Sequence, residues 1–451
     1  FARLRCMSLY SADLTRPYCP VLDSRRIRSS GGPVIRKFGQ DFEWSELHTE
    51  SQRLEPLRQV GDPEMDALLE ELQPRPSDDV YSLIVSKAAE DSESAAARFL
   101  AEAGTVPEWV DWELIERGAL TFVRLLPLCS VVLFNASLVG GFSAPKITKV
   151  LDASGYLTAE QPQAVMRRLF ETGRLLIDCC AEQGALRPGR EGWRSAVRVR
   201  ALHARVRRRL LLRGASGGEA WDCARDGVPI NQEDQAVTLL AFSYNVLAGL
   251  ELIRGGPVPG EEERAYLHLW RWVGRLLGLR DELNPCRAGM PLAKATLESI
   301  VLHLLHPDAL SVRVAHHLLR APRSSDAAFE RSASMTRLLV GDELGDALEL
   351  PWSLPGRRRA RWALLVLRTY GALCCSTLFG GPLCWLHRSL MRAVQRAEGV
   401  EIFVGRRPEL QSASRCGGGG GSSSASHSTS ALGGEVSLAR RVYSIVRVWG
   451  L

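Results

Sequence analysis

Among the residues able to do chemistry, His203 has the most specific placement. It falls in a helical stretch, Trp193 to Leu212, beside the apolar stripe Val199, Leu202, Val206 and Leu210 rather than on the charged side. A neutral imidazole there can face an apolar pocket. A haem iron asks for that arrangement: one axial imidazole from a helix, ringed by side chains that shield the macrocycle. Arg207, one turn further on, could neutralise a propionate. Taken alone, a helical histidine is far more often an ordinary core or surface residue.

Other constellations are cruder. His303 and His306 stand at i, i+3 with Asp308, His316 and His317 nearby, the outline of a metal cluster. The intervening leucines make a core-facing helix an equal reading, and Pro307 separates two helices. Seven arginines crowd between Arg194 and Arg209, and Arg357, Arg358, Arg359 and Arg361 form a second cluster. Nucleic-acid recognition would want interleaved aromatics or a known module, and neither is present. These arginines read as solvated helix faces with a few propionate or lipid-headgroup contacts, and no nucleic-acid partner is expected. The chain has no HExxH, no P-loop, no GxGxxG after a strand and no ExxH pair. Gly214 to Gly218 spells GxSxG in a loop, without the strand and helix that a nucleophile elbow needs. Asn135-Ala136-Ser137 spells a glycosylation acceptor inside an apolar helix.

The elements that must position these residues are helical. The chain has 451 residues, 45% of them hydrophobic and only 7% aromatic. Leu, Ala and Arg dominate over β-branched residues, which favours helices and excludes an all-β fold. Length alone suggests about three domains. The charge balance, 57 basic against 51 acidic residues, is mild. Residues 1–44 read as an irregular arm with a turn at Arg28 to Pro33. Helices are expected over Trp44 to Leu57, Asp62 to Leu72 with Pro63 at its first position, and in a pair over Asp78 to Glu102. A long apolar segment, Trp109 to Leu138, should kink or end at Pro127. Its charge-free part is too short for a bilayer span and reads as a buried helix.

Ala159 to Gln183 is the clearest helix, with Val165, Leu169, Thr172, Leu176 and Cys179 on one stripe. A Gly/Pro turn separates it from the helix of His203. Further helices are expected from Gln232 to Ile253 with Asn231 as cap, Glu261 to Leu277, Leu292 to Leu305, Asp308 to Leu319 and roughly Arg357 to Ala397. No strand or hairpin stands out. Thr369 to Leu386 is 18 residues without charge, a mediocre span that reads mainly as core with membrane contact as the lesser reading. Residues 411–434 are Gly/Ser-rich, a flexible linker, and Val436 to Trp449 is a short basic amphipathic stretch. The 11 cysteines contain no CxxC; Cys6 and Cys19 could pair in an oxidising compartment. The first residue, Phe1, suggests a truncated N-terminus, which leaves any targeting peptide open.

Several short strings, in order, resemble a known family. They are Pro107-Glu108-Trp109-Val110-Asp111, Arg117-Gly118, Gly140-Gly141-Phe142-Ser143-Ala144-Pro145, Val150-Leu151 and Gly155-Tyr156-Leu157. Arg168-Leu169-Phe170-Glu171-Thr172 follows, then Val197 to Arg207 around His203. Pro229-Ile230-Asn231-Gln232-Glu233-Asp234 comes next with Thr238 and Phe242, and last Tyr266 to Gly274. Over about 107–285 the chain resembles the haem oxygenase family of latex clearing protein and the fungal enzyme MpaB. The resemblance implies a single all-α domain with a globin-like core holding haem b, and O2-dependent cleavage of a carbon–carbon double bond in an isoprenoid chain. It assigns His203 as the iron ligand and Arg168 and Thr172 to the RxxxT pair of the pocket. Those two are i, i+4, so both can face one cavity.

Two positions depart from the pattern. Glu171 stands where the rubber oxygenase has a pocket lysine, so closure by lysine ligation should be absent. The upstream glutamate proposed there as a base has no clear counterpart, Asp152 being only in the neighbourhood. Both departures bear on a rubber substrate more than on the haem. The expected protein is a haem b oxygenase using O2 on an apolar, isoprenoid-like or lipid-like substrate. Association with a membrane, the endoplasmic reticulum by resemblance, is an accompanying expectation. Its domain would run over 45–405, followed by a linker and amphipathic segment over 406–451. The competing reading is a non-catalytic helical lipid-binding or membrane-associated scaffold.

Overall fold

The computed structural model describes residues 32–75, 78–154, 162–214, 219–321 and 325–396. The described chain opens with a feature the sequence did not advertise. Strands β1 (Val34–Lys37) and β2 (Gln40–Glu43) pair antiparallel, Val34 opposite Glu43 and Lys37 opposite Gln40. The turn between them places Phe38 and Gly39 at positive φ, 48° and 75°, as a two-residue hairpin requires. The supposedly irregular arm therefore ends in a hairpin. Four-residue strands are too short for alternation to show, and only Phe42 is buried.

All other regular structure is helical. The expected helix over Trp44 to Leu57 shrinks to α1 (Ser51–Leu54) and a 3-10 turn, Glu55–Gln59, because Pro56 sits within it. Then come α2 (Pro63–Leu72), capped by Asp62, whose carboxylate accepts from the Met65 amide, α3 (Val80–Glu90) and α4 (Ala95–Gly104). Helix α5 (Trp112–Arg124) meets α6 (Leu126–Val132) at an 83° bend. Pro127, in the first turn of α6, cannot continue a helix through Leu125, as the sequence indicated. A π-helical run, Leu133–Val139, follows, and all but two of its residues are buried. Asn135 is among the buried ones and exchanges hydrogen bonds with Val131 and Thr336, which disposes of a glycosylation role.

Next are α7 (Pro145–Ala153), α8 (Pro162–Cys180), α9 (Glu191–Leu211), a single turn α10 (Cys223–Asp226), α11 (Gln232–Phe242) and α12 (Tyr244–Arg254). The single helix expected over Gln232 to Ile253 breaks at Ser243. Side chains take up carbonyls near the break: Tyr266 donates to that of Phe242, Ser137 to that of Ala241 and the Ser243 hydroxyl to that of Leu239. The chain continues through α13 (Gly260–Leu276), α14 (Gly289–Leu304), α15 (Ala309–Arg320), α16 (Asp326–Val340), α17 (Asp342–Ala347), α18 (Leu354–Cys374) and α19 (Gly380–Arg396). The segments of α5–α6 and α11–α12 are apolar and long enough to invite a membrane reading. Their side chains form much of one large core, so they are buried helices of a globular fold.

Two strings of the family resemblance turn out to meet. Gly118 has no Cβ because α13 lies against it: any added methyl would run into the Ala265 carbonyl. Arg117 beside it pairs with Glu261 on α13. His268 of α13 accepts the Asp111 amide at 2.9 Å, and Trp109 packs edge-on against His268 and Trp272 while Arg271 covers its face. The Pro107–Gly118 and Tyr266–Gly274 motifs are thus two halves of one helix–helix seam. Residues 1–31 and 397–451, including Cys6, Cys19, the linker and Val436 to Trp449, lie outside the described residues, as does most of the GxSxG string.

Candidate functional site

Helices α8 and α9 form the frame of the candidate site. The turn between them is closed by Gly192, whose Cα approaches the Asp178 and Ala185 carbonyls so closely that a Cβ would lie 2.6 and 2.9 Å from them. From that junction the helices pack on each other. Arg168 lies twelve residues before the end of α8, Cys180, and His203 twelve after the start of α9, Glu191. Each is about 18 Å of helical rise from the turn, so their backbones stand at matching levels of the pair. The side chain of Arg168 is outside the described residues.

His203 is half-buried, and its Nδ1 is shielded from solvent. Val206 and Leu210, at i+3 and i+7, share its face of α9. They belong to a small apolar cluster separate from the main core, built with Val150 of α7 and flanked by Leu202, Trp221 and Ile230. On α8 the predicted stripe is buried at Val165, Leu176 and Cys179, but Thr172 in its centre is exposed. The face is covered at both ends and open to solvent in the middle, a departure from simple core packing. Glu171 beside it is half-buried.

Arg207 has a different occupation from the one its position suggested. Its side chain is buried, with Nε on both Asp66 oxygens at 3.0 and 2.8 Å and Nη1 on the Ile230 carbonyl at 2.9 Å. Gly61 supplies the room, since a Cβ there would lie 2.7 Å from the Arg207 Nε. These bonds anchor α9 through Nε and Nη1, while Nη2 is buried without a hydrogen-bond partner among the described residues. Two turns earlier Arg200 does the same, bidentate to Asp62 at 2.6 and 2.8 Å and reaching Glu64. Gly278, at φ +88°, packs over that pair where a side chain would collide with it.

The Pro229–Asp234 string locks the same frame. Ile230 adopts φ +55°, a strained value for a β-branched residue. It turns its carbonyl to Arg207 while Asn231 caps α11 through the Asp234 amide. Gln232 bonds the Gly61 and Gly278 carbonyls, and Arg58, fully buried, bridges Glu233 at 3.3 Å and Asp234 at 2.9 Å. The other carboxylate oxygen of Glu233 meets His303 Nδ1 at 2.7 Å, and Glu55 meets His303 Nε2 at 2.8 Å. These hydrogen bonds, that to Glu233 first, raise the His303 pKa despite burial. His303 is therefore a clasp between two carboxylates rather than part of a metal cluster. His306 faces Lys37 and His316 the Leu348 carbonyl. Among the described residues no three His, Cys, Asp or Glu side chains are arranged to hold a metal. Asp152 lies 3.8 Å from Arg313. The buried thiols are core residues: burial, then the charge of Glu116, pushes Cys180 up to about 12, far from a reactive thiolate.

Sequence reasoning did not single out Arg58 or Asp66, and it met Asp62 as a helix cap, Arg200 as one of an arginine cluster and Glu233 within a family string, none of them as an ion-pair partner. Isolated charges carry no periodic signal, and their partners lie up to 176 positions away. The only available trace was the glycines opposite them.

Fold and site together define an all-α domain in which a charge-clamped helix presents one half-buried imidazole above a satellite apolar cluster. The profile of the family described as ER-bound oxygenase mpaB/B'/rubber oxygenase, catalytic domain, matches residues 129–369, and the chain belongs to that family. The rubber oxygenase of Streptomyces sp. (strain K30) is 27% identical over 259 residues, 56% of this chain and 60% of the relative. The chain thus matches little more than half of that relative's length. Among solved structures, latex clearing protein in its closed state superposes with a TM-score of 0.54 at 21% identity, covering 75% of this chain and 90% of the other. That likeness is one of fold.

Proposed function

We propose that the protein is an oxygenase that binds haem b through His203 and uses O2 on an apolar, isoprenoid-like or lipid-like substrate. The observation carrying this reading is the pairing of α8 with α9 inside the family-matched region. Half-buried His203 stands at the level of Arg168, beside an apolar cluster, and the α8 stripe opens to solvent at Thr172. These residues fit the group: one neutral imidazole on a fixed helix with aliphatic neighbours is the donor set a haem iron takes.

Bound haem b would supply an iron centre for activating O2 against a carbon–carbon double bond. The chain's own residues do the rest. His203 offers a ring nitrogen held in place by α9, and α9 is held by Arg200 and Arg207. Val206, Leu210 and Leu202 exclude water from the imidazole's surroundings. Arg168 and Thr172, one turn apart on α8, supply a cation and a hydroxyl to orient oxygen or substrate. Arg207, committed to Asp66, acts as a positioning residue.

The test is an absorption spectrum of protein reconstituted with haem, beside His203→Ala. The wild type should show a Soret band and the variant a shifted or lost band with weaker haem affinity. No Soret band in the wild type, or an unchanged spectrum and affinity in the variant, overturns the ligand assignment. The ferrous protein incubated with O2 and prenylated lipids should release carbonyl products; haem binding without products across a broad panel favours a non-catalytic lipid-binding scaffold.

A further inference from the structure

The C-terminal helices α18 and α19 have a surface that the frame around His203 does not explain. Fifteen large hydrophobic side chains are exposed among the described residues, and nine of them lie between Trp352 and Leu386. They are not grazing exposures. Trp362 is 68% exposed, Leu378 72% and Trp385 69%. Trp362, Val366 and Leu373 follow helical spacing along the outer face of α18. Leu378 and Phe379 occupy the turn, and Trp385 and Leu386 begin the outer face of α19. A patch of this extent on a soluble fold marks an interaction surface.

Its charge is one-sided. From Pro351 to Arg396 there is no Asp or Glu, against eight arginines. Arg358 and Arg359 are exposed beside Trp362. A cavity of about 520 Å³ opens between the two helices and α5, lined by Arg124, Arg388, Arg392, Trp385 and Cys384 among others, with no acidic side chain in its wall. Arg124 and Arg392 already have carboxylate partners, Glu262 and Glu182. The Nε of Arg388 is buried without a hydrogen-bond partner among the described residues.

We infer that this face docks on a bilayer containing anionic phospholipid, its tryptophans and leucines entering the interface and the arginine-lined cavity taking a headgroup phosphate. Aromatic side chains prefer the headgroup level, and arginine outside a row of apolar residues is the pattern of an in-plane membrane helix. The 18-residue uncharged run does not cross the membrane as one helix, because α18 stops at Cys374 and α19 starts at Gly380. The inner sides of the pair pack on α5, α12 and α16. It therefore lies on the surface. A second copy fits this face poorly, since pairing it with itself would set arginine against arginine. The inference does not depend on haem or on any activity.

The test is flotation of the full chain with phosphatidylcholine vesicles, with and without phosphatidylserine. Binding to the anionic vesicles should exceed binding to neutral ones by about tenfold and fall with salt. Leu378→Ser/Trp385→Ser should lose at least about tenfold while keeping the wild-type circular dichroism and thermal midpoint. Arg388→Gln should lose the preference for anionic lipid. If the double variant fails to fold, Arg358→Glu/Arg359→Glu, at exposed positions, provides the same readout. Several results overturn the inference. These are no binding to anionic vesicles at low salt, undiminished binding by folded variants, which would place the contact elsewhere in the chain, or a dimer in solution that the double variant dissociates.

Discussion

The frame beneath α9 and the outer face of α18–α19 invert the usual distribution of side chains. Beneath α9 the charges are inside: Arg58, Arg200, Arg207, Asp62 and Glu233 are buried, and each is paired. On α18–α19 the apolar groups are outside and the arginines lack a matching acid in their own segment. Burying an ion is costly unless a partner and hydrogen bonds replace its water. The frame spends its polar groups on holding one helix at one height. The outer face leaves apolar side chains exposed that pack against nothing in the core of the described residues. The first region should therefore be sensitive to substitution in stability, and the second in binding alone.

The strongest way to break that contrast is Arg58→Ala. It leaves buried Asp234 without its cation and Glu233 with His303 alone, and about 3–5 kcal/mol of stability should be lost in urea denaturation. Asp66→Asn weakens a single anchor of Arg207, which keeps the Ile230 carbonyl, so a loss of about 1–2 kcal/mol is expected by the same measurement.

A pH series sharpens the comparison further. Because His303 has a raised pKa in the fold, its clasp on Glu233 and Glu55 contributes fully below the unfolded histidine value of about 6.5. That contribution fades as pH rises through the folded value. The urea midpoint of the wild type should thus fall between mildly acidic and alkaline pH, and His303→Gln should flatten that part of the profile. The smallest effect belongs to the outer face: Trp385→Ser should change stability by no more than about 0.5 kcal/mol in urea. A large loss there would mean that the tryptophan supports the fold.

Several long helices were legible because their apolar positions repeat at helical spacing and their caps are local, as with Asp62 before Pro63 or Asn231 before α11; α7, α16 and α17 were not. The failures have physical causes. The hairpin at Val34–Glu43 is too short for a period-two pattern, and Pro56 dissolved a predicted helix. The break at Ser243 is held by Tyr266 and Ser137, which are remote in sequence. At the site, His203 could be noticed from its place beside an apolar stripe, and the order of family motifs supplied a reason to choose it. Arg207 was read by its distance from His203 alone, and its partner Asp66 stands 141 positions away.

By itself, then, the sequence determined the helical class, the bounds of several long helices, the family and the one imidazole worth testing. All of these rest on local periodicity or on short strings. The tertiary structure decided which charges neutralise one another, why Gly61, Gly118 and Gly278 must lack side chains, and that the run Thr369 to Leu386, read mainly as core, lies largely on the surface. Pairing and exposure depend on what the folded chain brings opposite each residue, and spacing along one helix carries no record of that.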